Sequence, residues 1–142
     1  IRDALLRAEK YFNQKFDHII DLDVTSPLRT IKDIDFAYKH FLRKNSDNLI
    51  SVCEARKNPY FNMVESINNK IKIVKKSNTI FSRQKAPTVY EMNASIYIWK
   101  RKTLLKTNNL FLKNTSMFIM PQDRSIDIDS KLDLKIVKHL TK

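Results

Sequence analysis

Apolar and polar residues follow two different spacings along the chain, and the change of spacing predicts helices that alternate with strands. Residues 1–15 carry apolar side chains on one side of a helix. A second helix follows Thr30, because Thr30 and Asp33 are spaced as a capping box, and it should end near Asn45. Short apolar runs typical of buried strands lie between the helical segments, at residues 18–22, 49–53, 95–99 and 117–120.

The C-terminal part of the chain continues this alternation. A short helix is predicted from Lys102 to Lys106. Ser130 and Asp133 form a second capping box, which opens a final amphipathic helix. Strands that alternate with helices predict an α/β fold with a largely parallel sheet.

The middle of the chain differs from the rest. Residues 57–92 contain Pro59 and Pro87, short alternating pieces at 61–67 and 70–74, and a polar stretch at 77–79. This pattern predicts an excursion from the main domain. We therefore expect a core made of residues 1–56 and 93–142, with residues 57–92 outside it.

Length and composition limit the class of protein. A chain of 142 residues with 42% hydrophobic content suits one domain with a real core. No apolar run approaches the roughly 20 residues of a membrane span, so no membrane association is expected. The single cysteine, Cys53, lies in an apolar run and predicts a buried, unreactive thiol. Without a possible internal disulfide, the chain fits a reducing compartment such as the cytoplasm.

The chain contains no glycine, which excludes a glycine-rich phosphate loop of the Rossmann or P-loop type within it. The net charge of +12 raises the question of nucleic acid. The basic residues are scattered, however, and of the two densest clusters, residues 70–76 and 100–102, the first alternates with apolar residues as a half-buried strand does. Solvated basic faces are therefore favoured over nucleic-acid binding, which stays open as an alternative.

Candidate chemistry centres on two acidic residues near the C-terminus. If the stretch 125–130 is extended, Asp127 and Asp129 project from the same face. Two adjacent carboxylates suit Mg²⁺, which usually takes one or two carboxylates together with substrate phosphates. The plain alternative is an exposed loop that enters a helix.

A second segment, residues 23–30, follows a predicted strand and precedes a capped helix. Ligands of open α/β sheets bind at the carboxyl ends of strands, so this segment is well placed for a site. The alternative is an ordinary connection in which Pro27 only shapes the turn.

Three stretches together resemble the acylneuraminate cytidylyltransferases, also called CMP-sialic acid synthetases. They are residues 25–30 (Thr-Ser-Pro-Leu-Arg-Thr), 93–98 (Asn-Ala-Ser-Ile-Tyr-Ile) and 124–130 (Arg-Ser-Ile-Asp-Ile-Asp-Ser), the last followed by Asp133-Leu134. Residues 22–25 and 58–63 are closer to the branch that acts on legionaminic-type sugars. The resemblance implies a three-layer α/β/α, nucleotide-diphospho-sugar-transferase-like fold, which is Rossmann-like with a mostly parallel sheet.

The resemblance also implies an activity: transfer of CMP from CTP to the anomeric hydroxyl of a nine-carbon 2-keto sugar acid, with release of pyrophosphate. It implies that Asp127 and Asp129 hold Mg²⁺. It further implies sugar-binding roles for four residues, of which the first replaces a family glutamine: Asp23, Arg83, Tyr97 and Phe111.

Each sugar-binding assignment has an alternative. Tyr97 and Phe111 lie in apolar surroundings where aromatic side chains are often core residues. Arg83 lies in a basic, polar stretch where an arginine is ordinarily solvated. In addition, Asp23 places a negative charge where the resemblance expects an acidic sugar.

Two further expectations follow from where the chain departs from the family and where it agrees. The family's basic, glycine-rich CTP loop has no counterpart, and the family's Asn-Gly is Asn93-Ala94 here. We therefore expect the C-terminal two-thirds of such an enzyme, inactive when isolated. By resemblance, residues 57–92 are a dimerisation arm of a homodimer, and the alternative is a surface hairpin of a monomer. A basic nucleic-acid-binding module and an inert assembly partner are the competing functions.

Overall fold

The computed structural model describes residues 1–76 and 82–141, and the predicted polar stretch 77–79 falls outside them. Over the described residues, each predicted helix and strand is present near its predicted bounds, except that the strand predicted at residues 95–99 begins five residues earlier, at Tyr90. The helices are α1 (Arg2–Phe12), α2 (Ile31–Lys44), α3 (Arg101–Lys106) and α4 (Lys131–Leu140). The strands are β1 (His18–Leu22), β2 (Asn48–Glu54), β3 (Val64–Ile67), β4 (Lys70–Ile73), β5 (Tyr90–Lys100) and β6 (Thr115–Ile119).

Both predicted capping boxes are confirmed. The Thr30 hydroxyl accepts a hydrogen bond from the Asp33 amide at 3.2 Å, and the Asp33 carboxylate accepts one from the Thr30 amide at 2.9 Å. Ser130 and Asp133 make the same reciprocal pair at the start of α4. Each box satisfies backbone amides that a helix leaves unpaired at its first turn.

Asparagine takes the backbone positions that glycine usually fills. Among the described residues five have positive φ, and four of them are asparagines. Asn13 and Asn45 end α1 and α2 in the left-handed conformation. Asn68 and Asn69, with φ of 51° and 60°, join β3 to β4 as a two-residue turn of the type that hairpins favour. The chain thus ends helices and turns strands without glycine, because asparagine tolerates this conformation.

The four-stranded sheet has the order β1-β5-β2-β6 and is mixed. Strands β2 and β6 pair in parallel, whereas β1 and β5 pair antiparallel. The α/β class is confirmed, but the expectation of a largely parallel pairing is corrected. The reason is connectivity: the Ala55 amide after β2 donates to Val89 before β5, and the Lys100 amide at the end of β5 donates to Asp47 before β2. Strand β5 therefore runs against β2.

Helices cover both faces of the sheet. Ile96 and Ile98 of β5 are fully buried in a cluster with Phe41 of α2. Trp99 of β5 packs in a second cluster with Leu5 of α1 and with Leu104 of α3. Because adjacent residues of a strand point to opposite faces, α2 lies on one face and α1 and α3 lie on the other. None of the described helices is both long enough and apolar enough to cross a membrane.

The chain divides into two compact units, Ile1–Cys53 with Met92–Lys142, and Glu54–Glu91. The boundaries expected from the sequence were 57 and 92. The smaller unit contains the β3–β4 hairpin, in which Val64 lies opposite Ile73 and Glu65 lies opposite Lys72. Its role in dimerisation stays a prediction.

Candidate active site at the carboxyl ends of the strands

Two loops meet at the ends of β1 and β6. One loop, residues 23–30, joins β1 to α2, and the other, residues 120–130, joins β6 to α4. The Ile128 amide donates a hydrogen bond to the Thr25 carbonyl at 2.9 Å, so the loops are in direct contact. This edge of the sheet is the place where open α/β sheets bind ligands.

The first loop is held by hydrogen bonds to its own backbone and to β5. Asp23 accepts hydrogen bonds from the Thr25 amide at 3.1 Å and from the Thr25 hydroxyl at 2.8 Å. The Thr25 backbone bond is the main reason that the pKa of Asp23 is below its usual range. The Arg29 guanidinium donates to the carbonyls of Asp23 and Ser95, at 3.0 and 2.7 Å. Arg29 therefore fixes the loop to the sheet.

A buried polar network lies beneath both loops and centres on Asn93, which is 3% exposed. The Asn93 carbonyl side-chain oxygen accepts from the Ser51 hydroxyl at 2.7 Å, and its side-chain nitrogen donates to the Ser125 hydroxyl at 2.9 Å. The Ser26 hydroxyl donates to the Asn93 main-chain carbonyl at 3.3 Å. One asparagine thus connects strand β2 with each of the two loops.

Ala94 follows this asparagine with φ of 50°. The resemblance placed a family glycine at this position, and the structure supplies a reason, since glycine adopts positive φ without steric cost. An L-residue with a Cβ atom there costs roughly 1–2 kcal/mol. Ala94 is the one non-asparagine among the described positive-φ residues.

Asp33 and Arg124 connect the second loop to α2 through an ion pair with two hydrogen bonds. Arg124 donates through Nε and a terminal nitrogen to the two carboxylate oxygens of Asp33, at 2.9 and 2.8 Å. The Asp33 side chain is 4% exposed and also caps α2. The paired guanidinium is the main cause that lowers the pKa of Asp33 to about 2.

Three of the predicted site residues lie together at this edge of the sheet: Asp23, Tyr97 and Asp127. Tyr97 is half-buried, and burial raises the pKa of its hydroxyl, followed by the charges of Asp23, Asp21 and Asp127. Asp127 is half-buried, and its buried Oδ1 oxygen has no hydrogen-bond partner among the described residues. Asp129 is exposed two residues later. Within residues 1–76 and 82–141 no three acidic, histidine or cysteine side chains cluster closely enough to hold a metal alone.

The other two predicted sugar-binding residues lie elsewhere. Phe111 is 68% exposed on the connection before β6, next to Leu110, whose carbonyl accepts from Asn48 at the start of β2. That is the opposite end of the sheet from Asp23, and the exposure argues against a core role. Arg83 opens a short 3₁₀ helix in the smaller unit, and its side chain is outside the described part of the chain. All the sugar-binding roles stay predictions.

The sequence did not reveal the residues that hold the loops. Asp33 was expected only as a helix cap, and Arg124 only as the first residue of a motif. They are 91 residues apart, and no spacing rule links them. The one available signal was their opposite charge. Asp33 is the acid of a capping box, and Arg124 is the basic residue at the start of the acidic motif.

Comparison with known proteins gives relatives along the whole chain. Post-translational flagellin modification protein B of Campylobacter coli is 49% identical over 142 residues, which are 100% of this chain and 60% of that protein. CMP-N,N'-diacetyllegionaminic acid synthase of Campylobacter jejuni is 49% identical over 140 residues, 99% of this chain and 59% of that protein. N-acylneuraminate cytidylyltransferase of Streptococcus agalactiae is 29% identical over 130 residues, 90% of this chain and 30% of that protein. No family model matches.

These matches confirm the resemblance stated from the motifs. The chain is related to the acylneuraminate cytidylyltransferases, and the higher identity to the legionaminic acid synthase supports that branch. The chain spans about three fifths of the length of the two Campylobacter relatives.

Proposed function

We propose that this chain is part of a cytidylyltransferase that transfers CMP from CTP to a nine-carbon 2-keto sugar acid of the legionaminic type and releases pyrophosphate. The observation that carries the proposal is the unpartnered Oδ1 of Asp127, which lies with Asp23 and Tyr97 where the loops after β1 and β6 meet. The relatives support the reaction class, because the C. jejuni protein is named for CMP-N,N'-diacetyllegionaminic acid.

Asp127 and Asp129 are the proposed ligands of Mg²⁺. A buried carboxylate oxygen without a hydrogen bond is costly unless a cation or a donor completes it, so the chain's own residues fit a cation there. Mg²⁺ is commonly bound by one or two carboxylates, with substrate phosphates supplying the remaining oxygens, and the two aspartates match this arrangement. When bound, Mg²⁺ would offset the negative charge of the CTP phosphates.

Tyr97 and Asp23 are the proposed sugar contacts on this face. The tyrosine hydroxyl can both donate and accept, whereas an ionised Asp23 can only accept. Its lowered pKa keeps Asp23 ionised at neutral pH, so it suits hydroxyl or amide N–H groups of the sugar rather than the carboxylate. The sugar carboxylate needs a cation elsewhere, and Arg83 is the proposed partner.

We also propose a homodimer formed through residues 57–92. In the β3–β4 hairpin, Val64 and Ile73 lie opposite each other and share a face with Ile71. Val64 and Ile71 are 65% and 75% exposed, while the other face carries the pair Glu65 and Lys72. A second copy of the chain would cover the apolar face.

Light scattering tests the dimer with a matched pair of substitutions. Ile71→Glu on the apolar face should give a monomer at micromolar concentration, because it places a charge in the interface. Lys72→Gln on the opposite face should leave the dimer intact, because it changes a polar residue outside the apolar face without placing like charges opposite each other. A monomeric wild-type protein would refute the proposed arm.

The competing functions are not favoured. The case for a nucleic-acid module is the net charge of +12 alone, and the relatives are named as nucleotidyltransferases of sugars. Cys53 is buried and is the single cysteine of this sequence, which agrees with the reducing compartment that we propose, the cytoplasm.

A pyrophosphate-release assay tests the reaction. The full-length protein carrying this sequence should release pyrophosphate with CTP, Mg²⁺ and N,N'-diacetyllegionaminic acid, and it should do so less efficiently with N-acetylneuraminic or pseudaminic acid. No turnover with any of the three sugars would refute the function. Faster turnover with N-acetylneuraminic or pseudaminic acid than with N,N'-diacetyllegionaminic acid would refute the assignment to the legionaminic acid branch.

The isolated 142-residue chain is expected to be inactive. It has no glycine-rich segment that could bring backbone amides onto a triphosphate. Calorimetric titration with CTP and Mg²⁺ should therefore show weak binding or none. Tight CTP binding or turnover by this chain alone would contradict that expectation.

A further inference from the structure

The acidic motif lies on a segment with no regular structure. Residues 125–130, which we call the acidic loop, form neither helix nor strand. Among the described residues, three contacts join this loop, or Arg124 directly before it, to the other parts of the candidate site: Arg124 with Asp33, the Ser125 hydroxyl with Asn93, and the Ile128 amide with Thr25. The first contact comes from a side chain, has two hydrogen bonds and reaches a carboxylate that is 4% exposed.

This first contact joins the acidic loop to the rest of the candidate site. Asp33 is the third residue of α2 and is bonded to Thr30, the last residue of the loop after β1. Arg124 therefore links the segment before Asp127 to the segment after Asp23. A planar guanidinium with two hydrogen bonds fixes both the distance and the orientation of its partner.

We propose that Arg124 is a positioning residue: through its two hydrogen bonds to Asp33 it holds the acidic loop so that the carboxylates of Asp127 and Asp129 stand ready for a divalent cation. The inference rests on the proposed function, in which these two carboxylates bind the metal. It assigns to Arg124 an effect on metal affinity and not only on stability.

The molecule contains a matched control. Glu9 and Arg101 form the same two-bond pair, at 2.6 and 2.8 Å, between α1 and the start of α3. Glu9 is as deeply buried as Asp33, with side-chain exposures of 3% and 4%. Arg101 follows the end of β5, which pairs with the start of β1, so this pair lies at the opposite end of the sheet from the acidic loop. A substitution that breaks the Glu9–Arg101 pair removes an equally buried ion pair with two hydrogen bonds and leaves the contacts of the acidic loop in place.

The test compares Arg124→Gln, Arg124→Lys and Arg101→Gln in the full-length protein. Mn²⁺ serves as the probe, and its binding is measured by electron paramagnetic resonance with CTP present and no sugar, so that no turnover is needed. We expect Arg124→Gln to weaken Mn²⁺ binding by about 10- to 100-fold, the usual effect of losing a residue that orients a metal ligand. Arg124→Lys should fall between it and wild type, because lysine keeps the charge but not the planar fork.

The control separates positioning from folding. Arg101→Gln should lower the thermal midpoint and leave Mn²⁺ affinity unchanged. Equal Mn²⁺ affinities for wild type, Arg124→Gln and Arg101→Gln would overturn the inference. If Arg124→Gln does not fold, Arg124→Lys decides it, since lysine keeps the charge but loses the two-bond geometry with Asp33 and should still reduce affinity.

The outcome is distinguishable from failure of the proposed function. If wild type binds Mn²⁺ but releases no pyrophosphate with any sugar, the function fails while the Mn²⁺ comparison still decides the role of Arg124. If wild type is active, the Mg²⁺ concentration for half-maximal turnover should rise in Arg124→Gln, with kcat partly restored at saturating Mg²⁺. Loss of kcat without a change in Mg²⁺ dependence would refute positioning of the metal ligands.

Discussion

Two carboxylate–arginine pairs hold this fold together at different places, and they are nearly identical in local chemistry. Glu9 with Arg101 and Asp33 with Arg124 each place a buried carboxylate against two guanidinium nitrogens. In each pair the arginine is the main cause that lowers the pKa of the carboxyl to about 2. Burial alone would have raised both pKa values.

The pairs differ in what they join. Glu9 connects α1 to the start of α3, and it also accepts from Lys15 and from the Phe16 amide, so four donors converge on one carboxylate. Asp33 caps α2 and fixes an arginine that is three residues before Asp127. Two pairs of the same chemistry can therefore have different roles. We infer that Glu9 with Arg101 supports only the fold, whereas Asp33 with Arg124 also positions a candidate site, because the acidic loop follows Arg124.

The largest effect should come from Asp127 and Asp129, which lie in the acidic loop that follows Arg124 and have no counterpart after Arg101. If the two aspartates bind the metal as proposed, Asp127→Ala or Asp129→Ala in the full-length protein should lower kcat by on the order of 1,000-fold, because a metal ligand is worth several kcal/mol in the transition state. Stability should change little, since Asp127 Oδ1 has no hydrogen-bond partner in the described part of the chain. Pyrophosphate release and thermal unfolding measure the two effects.

The nearby exposed residue Asp123 provides the control for that substitution. Asp123→Ala removes one negative charge from the same region and should leave turnover close to wild type. Activity in Asp127→Ala equal to that of Asp123→Ala would exclude the metal site.

The second prediction breaks one pair at a time. Asp33→Ala should lower the free energy of unfolding by about 3 kcal/mol, because it leaves Arg124 without its partner and removes the cap of α2. It should also reduce turnover. Glu9→Ala should destabilise the fold and leave turnover of the folded enzyme unchanged. Urea denaturation and pyrophosphate release at a temperature where both variants are folded measure this difference.

The comparison between the pairs would be wrong if the two variants lost activity equally after correction for the folded fraction. It would also be wrong if Asp33→Ala kept full activity, since the site would then not depend on α2.

The third prediction concerns acid. The pKa values of Glu9 and Asp33 fall from ordinary values of 4.5 and 3.8 to about 2 on folding. A lowered pKa in the fold means that each carboxylate stabilises the protein above its ordinary pKa, and that this contribution is lost as the pH falls toward 2. Stability should therefore be level above about pH 5 and decline below it.

Urea denaturation at several pH values between 7 and 3 tests the acid prediction. Glu9→Gln and Asp33→Asn should each be less stable at pH 7 and should lose less stability on acidification than wild type. A wild-type protein whose unfolding free energy is constant down to pH 3 would contradict the lowered pKa values.

The smallest effect is expected at a position that neither pair touches. Ala94→Gly removes a Cβ atom from a residue with φ of 50°, which should relieve roughly 1 kcal/mol, partly offset by the greater freedom of glycine in the unfolded chain. The net gain should be a few tenths of a kcal/mol in urea denaturation.

Ala37→Gly is the matched control for this change, since Ala37 is buried within helix α2. It should destabilise the fold by about 1 kcal/mol or more, because glycine is unfavourable in helices. Equal destabilisation by the two glycine substitutions would mean that the backbone at residue 94 carries no strain.

The elements were predictable from the sequence because the forces that define them are local. The capping boxes at Thr30 and Ser130, for example, involve residues only three apart. The direction of β5 was not predictable in this way. The connection between β2 and β5 returns the chain to the sheet at the same end at which β2 left it, so β5 runs in the opposite direction to β2.

The candidate site was predictable only in part. Asp23, Tyr97 and Asp127 lie in motifs that the sequence displays, and the fold brings them to one edge of the sheet. The position of Phe111 at the other end of the sheet could not be read from the motifs, because its loop follows a helix whose direction only the folded chain defines.

By itself the sequence determined the order of helices and strands, the two capping boxes, and the acidic motif that suits a metal. Only the tertiary structure decided which charges pair. Asp33 and Arg124 are 91 residues apart, and Glu9 and Arg101 are 92 apart, so no periodicity connects them. Their contact depends on the packing of helices on both faces of the sheet, which removes the carboxylates from water and makes each available arginine the favoured partner.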